Sequence, residues 1–205
     1  DPLEEIIVGH AHGARVNTDI SSHSFNFSTL TTAEVVPLGG VLPQTLVDEA
    51  NEDIQGLADT LTDLGVRVHR PALIDQEQEF STPDWCSAGN STWCPRDLIL
   101  PLADWLIETP SPVRGRYWET RAYESILYEA FEDGAVWISA PKPRLLDNLY
   151  DISGDVRGRS TLLDHEICFD APNIVRVGRD LLYQISNSGN LKGFRWLKRL
   201  LEPRG

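Results

Sequence analysis

The stretch Cys168–Ser186, "CFDAPNIVRVGRDLLYQIS", decides how the chain is read. Two apolar runs, NIVRV and DLLYQIS, flank Gly178-Arg179, a pattern that predicts a hairpin. An acid, Asp170, stands just before the first strand. The same order occurs upstream in "CPRDLILPLADWLIET" (Cys94–Thr109). There Asp97 precedes the strands LILPL and WLIET, joined at Ala103-Asp104. Pro101 inside the first strand predicts an edge position or a bulge, because proline has no N–H to give to a ladder.

A helical pattern follows each hairpin. Tyr117, Trp118, Ala122, Ile126, Leu127, Ala130 and Phe131 recur at helical spacing within 114–133. Gly134 is placed to close that helix, and AVWISA reads as a strand, giving β–β–α–β. After the second hairpin Asn190 is expected to cap LKGFRWLKRLL. Nearer the N-terminus, EEIIVG (Glu4–Gly9) reads as a short buried strand. Leu46, Val47, Ala50, Ile54, Leu57, Ala58, Leu61 and Leu64 predict a helix over 44–64 that Gly65 ends, and VRVH reads as a strand stopped by Pro71. The polar stretch up to Gly40 and the segment 72–95 read as irregular. An internal repeat of about 70 residues, the spacing from Asp97 to Asp170, is too long for a solenoid.

The 205 residues suit one domain. A net charge of −13 speaks against a nucleic-acid partner and is compatible with a cationic small substrate. Three cysteines without a CxxC argue for a reducing, cytoplasmic compartment rather than a disulfide framework. No apolar run approaches the roughly 18 residues that span a bilayer, so no membrane is expected. The N-x-S/T matches at Asn26 and Asn90 read as chance. The chain contains no methionine and stops directly after a helical pattern. Both features lead to the expectation of a fragment, with modules over roughly 1–93 and 94–165 and an incomplete one over 166–205.

Aspartates before strands are commonly turn or cap residues. Repetition of the placement favours another reading, in which both carboxylates face one site. Two buried carboxylates suit a planar guanidinium, each charge-assisted hydrogen bond contributing roughly 1.5–3 kcal/mol. His10 and His12 have the spacing of ligands on one strand face, but no Cys or second His pair lies near, and no metal is expected. His69 and His165 read as structural or exposed. Cys94 and Cys168 lack a base partner in any motif and read as small buried hydrophobes. Arg114, Arg116, Tyr117, Trp118 and Arg121 read as inward aromatics with arginines paired to local acids, in preference to an anion site. Lys142 and Arg144 fall on a loop, where a phosphate site is the alternative to a bland role.

These residues also carry a resemblance. DPLEEIIVG, CPRD (Cys94–Asp97), IETP, RAYESIL, SAPKPRL and FDAPNIVRVGRDLL together resemble the arginine-dependent amidinotransferases, the glycine and inosamine-phosphate enzymes, in order along nearly the whole chain. SAPKPRL and SNSGNLKG are nearer the inosamine-phosphate branch, and RAYESIL is equally at home in the glycine branch. The resemblance implies an α/β fold, the five-module α/β-propeller (pentein type) shared with arginine deiminase, of which this chain would hold about the first three ββαβ modules. It implies a cysteine thiolate that takes the amidino group of L-arginine, releases ornithine, and passes the group to an acceptor amine. Glycine, scyllo-inosamine 4-phosphate or another amine remains open as that acceptor. By motif, Asp97 is the substrate-binding acid and Asp170 the catalytic acid that works with a histidine. No cofactor is implied, the partners are small molecules, and a homodimer is compatible. The family's His-x-Asp motif and its nucleophilic cysteine find no match here, so the chain alone is expected to be inactive. The alternatives are a guanidine hydrolase of the same fold and a short, non-catalytic guanidino-binding protein.

Overall fold

The computed structural model describes residues 2–25, 39–153 and 160–202. Asn26 and residues 27–38 of the polar stretch before Gly40 lie outside them. Strand β1 (Glu5–Ile7) is half-buried rather than buried. The short strands β2 (Arg15–Val16) and β3 (Gly40–Val41) pair antiparallel. Helix α1 (Gln44–Asp63) forms over the expected span and is followed by β4 (Arg67–His69), which pairs parallel with β1. A parallel pair needs a crossover of this length, and α1 supplies it. Val47, Ala50 and Ile54 pack on Ala11 and Ala14. Leu57 and Leu64 stay exposed, so the buried face is narrower than the apolar stripe. Gly65 takes φ +83°, the left-handed conformation of a helix-ending glycine.

The segment 72–95 holds a small hairpin, β5 (Phe80–Ser81) with β6 (Cys86–Ser87). Strands of two residues are too short to leave an alternation in sequence. Next comes a one-turn helix, α2 (Pro95–Leu98), with Pro95 at its first position, where a missing N–H costs nothing. Asp97 therefore sits in this turn rather than directly at a strand start. Strands β7 (Ile99–Leu102) and β8 (Trp105–Glu108) follow as an antiparallel hairpin. Pro101 lies in β7, an edge strand of the three-stranded sheet β7-β8-β9, as its missing donor requires.

The helix expected over 114–133 forms only at its end, as α3 (Glu124–Glu132), before β9 (Val136–Ser139) adds parallel to β8. Residues 114–116 and 119–123 are 3-10 turns instead. The polar side chains of Arg114, Arg116 and Glu119 turn inward there, and their partners override the helical spacing. Tyr128 and Phe131 are correspondingly exposed.

The second acid-led hairpin is β10 (Ile174–Val177) with β11 (Asp180–Tyr183), turning at Gly178 with φ +63°. Helix α4 (Leu191–Leu201) is capped by Asn190, whose side chain accepts from the Gly193 N–H at 2.9 Å. Leu100, Trp105, Ile107, Phe169, Ala171, Ile174 and Leu197 form one core cluster. The two hairpins and α4 thus share their packing, and α2 lies against the 3-10 turn Ala171–Asn173. Both aspartates are held at that junction. Among the described residues no helix is long and apolar enough to cross a membrane.

Candidate functional site

The junction gathers three carboxylates around one guanidinium. Arg116 Nη1 donates to Asp97 Oδ2 at 2.6 Å. Its Nε and Nη2 donate to the two oxygens of Glu119, at 2.7 and 2.9 Å. Such a fork fixes direction as well as distance. Tyr123 adds a hydrogen bond from its hydroxyl to Glu119 Oε1 at 3.0 Å. Burial works against the charge on Arg116, but Glu119, Asp170 and Asp97 together overcome it and raise its pKa. Burial likewise pushes Glu119 up, with Arg116 and Tyr123 pulling the other way.

Asp170 completes the group. It is 4% exposed, and its Oδ1 finds no hydrogen-bond partner among the described residues. Burial raises its pKa from the ordinary 3.8 to about 7; Arg116 and a hydrogen bond from Ser111 oppose the rise, and Asp97 and Glu119 add to it. Its backbone is well anchored. The N–H donates to Ser188 O at 2.8 Å, and the C=O accepts from the Asn173 side chain at 3.1 Å. Asn173 also accepts from Ser186 Oγ at 2.7 Å. Gly189 packs so close to Asn173 that a Cβ there would lie 2.7 Å from its side chain. The loop 186–190 and the Asn of FDAPN therefore hold the acid in place. A buried carboxylate with one open oxygen is complete only when a donor or cation reaches it.

Sequence reasoning selected Asp97 and Asp170, and the fold brings both to this junction. It missed Glu119 and Tyr123. Glu119 falls on the apolar face of the expected helix, in step with Ala122, Tyr123 and Ile126, and a carboxylate there was the available signal. Arg116 was rightly expected to pair with local acids.

The cysteines divide. Cys168 is buried, as expected, and burial holds its pKa well above the ordinary value. Cys94 is exposed, which corrects its reading as a buried hydrophobe: it follows the exposed Trp93 at the surface end of α2. Its thiol is still raised, by burial of its inner side and by Asp97. Neither is a thiolate at neutral pH. His10 is buried against Thr92, His69 binds Glu5, and His165 is exposed. No described group of three or more His, Cys, Asp and Glu residues is placed to hold a metal. Arg144 pairs with Asp84 at 2.7 Å, and Lys142 donates to Tyr117 O at 2.7 Å while lying over the Tyr117 and Trp118 rings.

No protein-family model matches the chain. Solved structures do. An inosamine-phosphate amidinotransferase of Streptomyces griseus superposes with a TM-score of 0.88 at 42% identity, over 98% of this chain and 57% of its own. A dimethylarginine dimethylaminohydrolase, at 16% identity and a TM-score of 0.57, shares the fold alone over 100% of this chain and 58% of its own. The fold class is thus the pentein-type α/β-propeller, of which the chain forms part. By sequence, the chain is similar to amidinotransferases. It is 43% identical over 202 residues to inosamine-phosphate amidinotransferase 1 of Streptomyces glaucescens, and 34% identical over 219 aligned positions to the mitochondrial glycine amidinotransferase of Xenopus tropicalis. These alignments cover 98% and 99% of the chain. The chain spans 58% of the first relative's length and 51% of the second's.

Proposed function

We propose that the chain is the N-terminal part of an arginine-dependent amidinotransferase, organised in propeller modules over roughly 1–93, 94–165 and 166–205. The observation that carries this reading is the buried, half-satisfied carboxylate of Asp170 beside the Asp97–Arg116 pair. Asp97 clamps the guanidinium of L-arginine with the oxygen that Arg116 leaves open. Asp170 receives an imidazole N–H on Oδ1, orients that ring and favours its charged form. Neither Cys94 nor Cys168 suits the nucleophile, so the thiolate and the imidazole are assigned to residues beyond these 205.

In the reaction, the thiolate attacks the guanidino carbon and ornithine leaves with a proton from the imidazolium. The acceptor amine then attacks the amidino-cysteine, the thiolate departs, and the imidazole takes the amine proton. Higher identity to inosamine-phosphate than to glycine amidinotransferases favours an aminocyclitol phosphate such as scyllo-inosamine 4-phosphate as acceptor. The test is to incubate the product of the complete gene with L-arginine and either that acceptor or glycine. Ornithine in step with an amidinated acceptor is expected. Citrulline in place of that product would instead make the protein a hydrolase.

A further inference from the structure

We propose that the cleft between residues 74–80 and the 114–123 turns is a binding site for a small apolar α-amino acid, separate from the acid junction. The inference concerns binding alone and does not rest on the amidinotransferase reading.

The cleft has a volume of about 310 Å³ and is walled chiefly by Ile74, Asp75, Gln76, Phe80, Trp118 and Arg121. Of the junction acids and their arginine, only Glu119 reaches its wall; Asp97, Arg116 and Asp170 do not line it. The charge on Glu119 is already answered by the fork to Arg116. Gly89 also lines the cleft and leaves room for the Gln76 amide, since a Cβ there would lie 2.1 Å from Gln76 Oε1.

Donors without acceptors mark one end. Gln76 is 3% exposed, and its Nε2 has no hydrogen-bond partner among the described residues. Arg15 Nη1 donates to Gln76 O at 3.3 Å, and the buried Arg15 Nε is likewise unpartnered among them. Leaving one buried donor without an acceptor costs about 1–3 kcal/mol, so two in one neighbourhood point to an acceptor that comes from outside. Arg121 brings charge to the same cleft. Its guanidinium stacks 4.4 Å from the centroid of the Trp118 ring and forms no ion pair with a described residue. Stacking fixes the plane of the fork and turns its N–H edge to a carboxylate.

Asp75 argues against a simple anion. It is exposed, its Oδ1 accepts from the Glu77 N–H at 2.9 Å, and among the described residues no cation pairs with it. A ligand that carries a carboxylate and an ammonium on one carbon matches Arg121 and Asp75 together. Ile74, Phe80 and Trp118 then offer apolar surface to its side chain.

The test titrates L-norvaline into the product of the complete gene by calorimetry, with pentanoate and butylamine as probes that each lack one charged end. L-norvaline is expected to bind, and the other two about 10- to 100-fold more weakly, the loss of one charge-assisted contact. Arg121→Gln should weaken L-norvaline by the same factor, and Asp97→Asn should leave its affinity unchanged. The opposite pattern would place the amino acid in the acid junction and overturn the proposal. So would an absence of L-norvaline binding, as when another part of the chain fills the cleft, or equal affinity for pentanoate. Should Arg121→Gln not fold, Asp75→Asn decides: affinity for L-norvaline within twofold of wild type overturns the assignment. Binding is read without turnover, so a protein inactive on arginine refutes the proposed function and leaves this test standing.

Discussion

β7–β8 and β10–β11 are one hairpin built twice, each led by a short helical turn, with Asp97 inside the first turn and Asp170 just before the second. In the first, Leu100 and Ile107 are buried and β9 adds a third strand. In the second, Val175 and Leu182 are 53% and 59% exposed, and no third described strand joins. The acids differ in the opposite direction. Asp97, on the well-packed hairpin, is partly open and bound to Arg116. Asp170, on the sparsely packed one, is buried with an oxygen unpaired. A repeated local element thus carries an acid to the same junction, while its neighbours set its chemistry: Asp97 is partly open and paired with Arg116, and Asp170 is enclosed with its pKa raised by burial.

The comparison can be broken most forcefully at the link between the two hairpins. Glu119→Gln removes the charge that holds Arg116 and is expected to cost about 3–5 kcal/mol, because the guanidinium stays buried with less compensation. Urea unfolding measures this, and a loss below about 1 kcal/mol would mean that the junction relaxes freely.

Packing comes next. Ile107→Ala should destabilise by about 2–5 kcal/mol, the range for deleting a buried aliphatic side chain. Leu182→Ala, at the exposed equivalent hairpin, should fall within about 0.5 kcal/mol of wild type. Similar costs for both would show that the β10–β11 face is covered in solution.

The two acids also differ in their response to pH. The folded pKa of Asp170 lies above its unfolded value, so the folded state holds the extra proton between about 3.8 and about 7. Its contribution to stability is full below that window and lost as pH rises through it. Asp170→Asn should therefore look more favourable, relative to wild type, at pH 8 than at pH 5. Equal differences at the two pH values would show that Asp170 is not buried as an acid.

Much of the frame was legible because short-range rules decide it. Gly65, Gly134 and Gly178 sit at the left-handed turns that their positions demanded, Asn190 caps its helix, and Pro101 lies on an edge. The two acids were legible through repetition. What escaped was decided by long-range partners. Residues 114–123 carry a helical spacing, yet Arg114 is drawn to Leu145 O and Asp147 and Arg116 to Asp97 and Glu119, so the chain winds as 3-10 turns. The burial of Asp170 had no sequence signature at all, since it depends on how Ser111, Arg116, Asp97 and Glu119 gather around it in space.

The most direct test of the account follows formation of the amidino-enzyme from arginine in a single turnover, by intact-protein mass, in the product of the complete gene. Asp170→Asn is expected to slow the step about 10³- to 10⁴-fold while half-saturation by arginine stays within a few-fold, as for an acid that orients a catalytic imidazole. Asp97→Asn should instead raise the arginine concentration needed, by about 10- to 100-fold, as for an acid that clamps the substrate. Adduct formed at the wild-type rate and concentration in both variants would contradict the account.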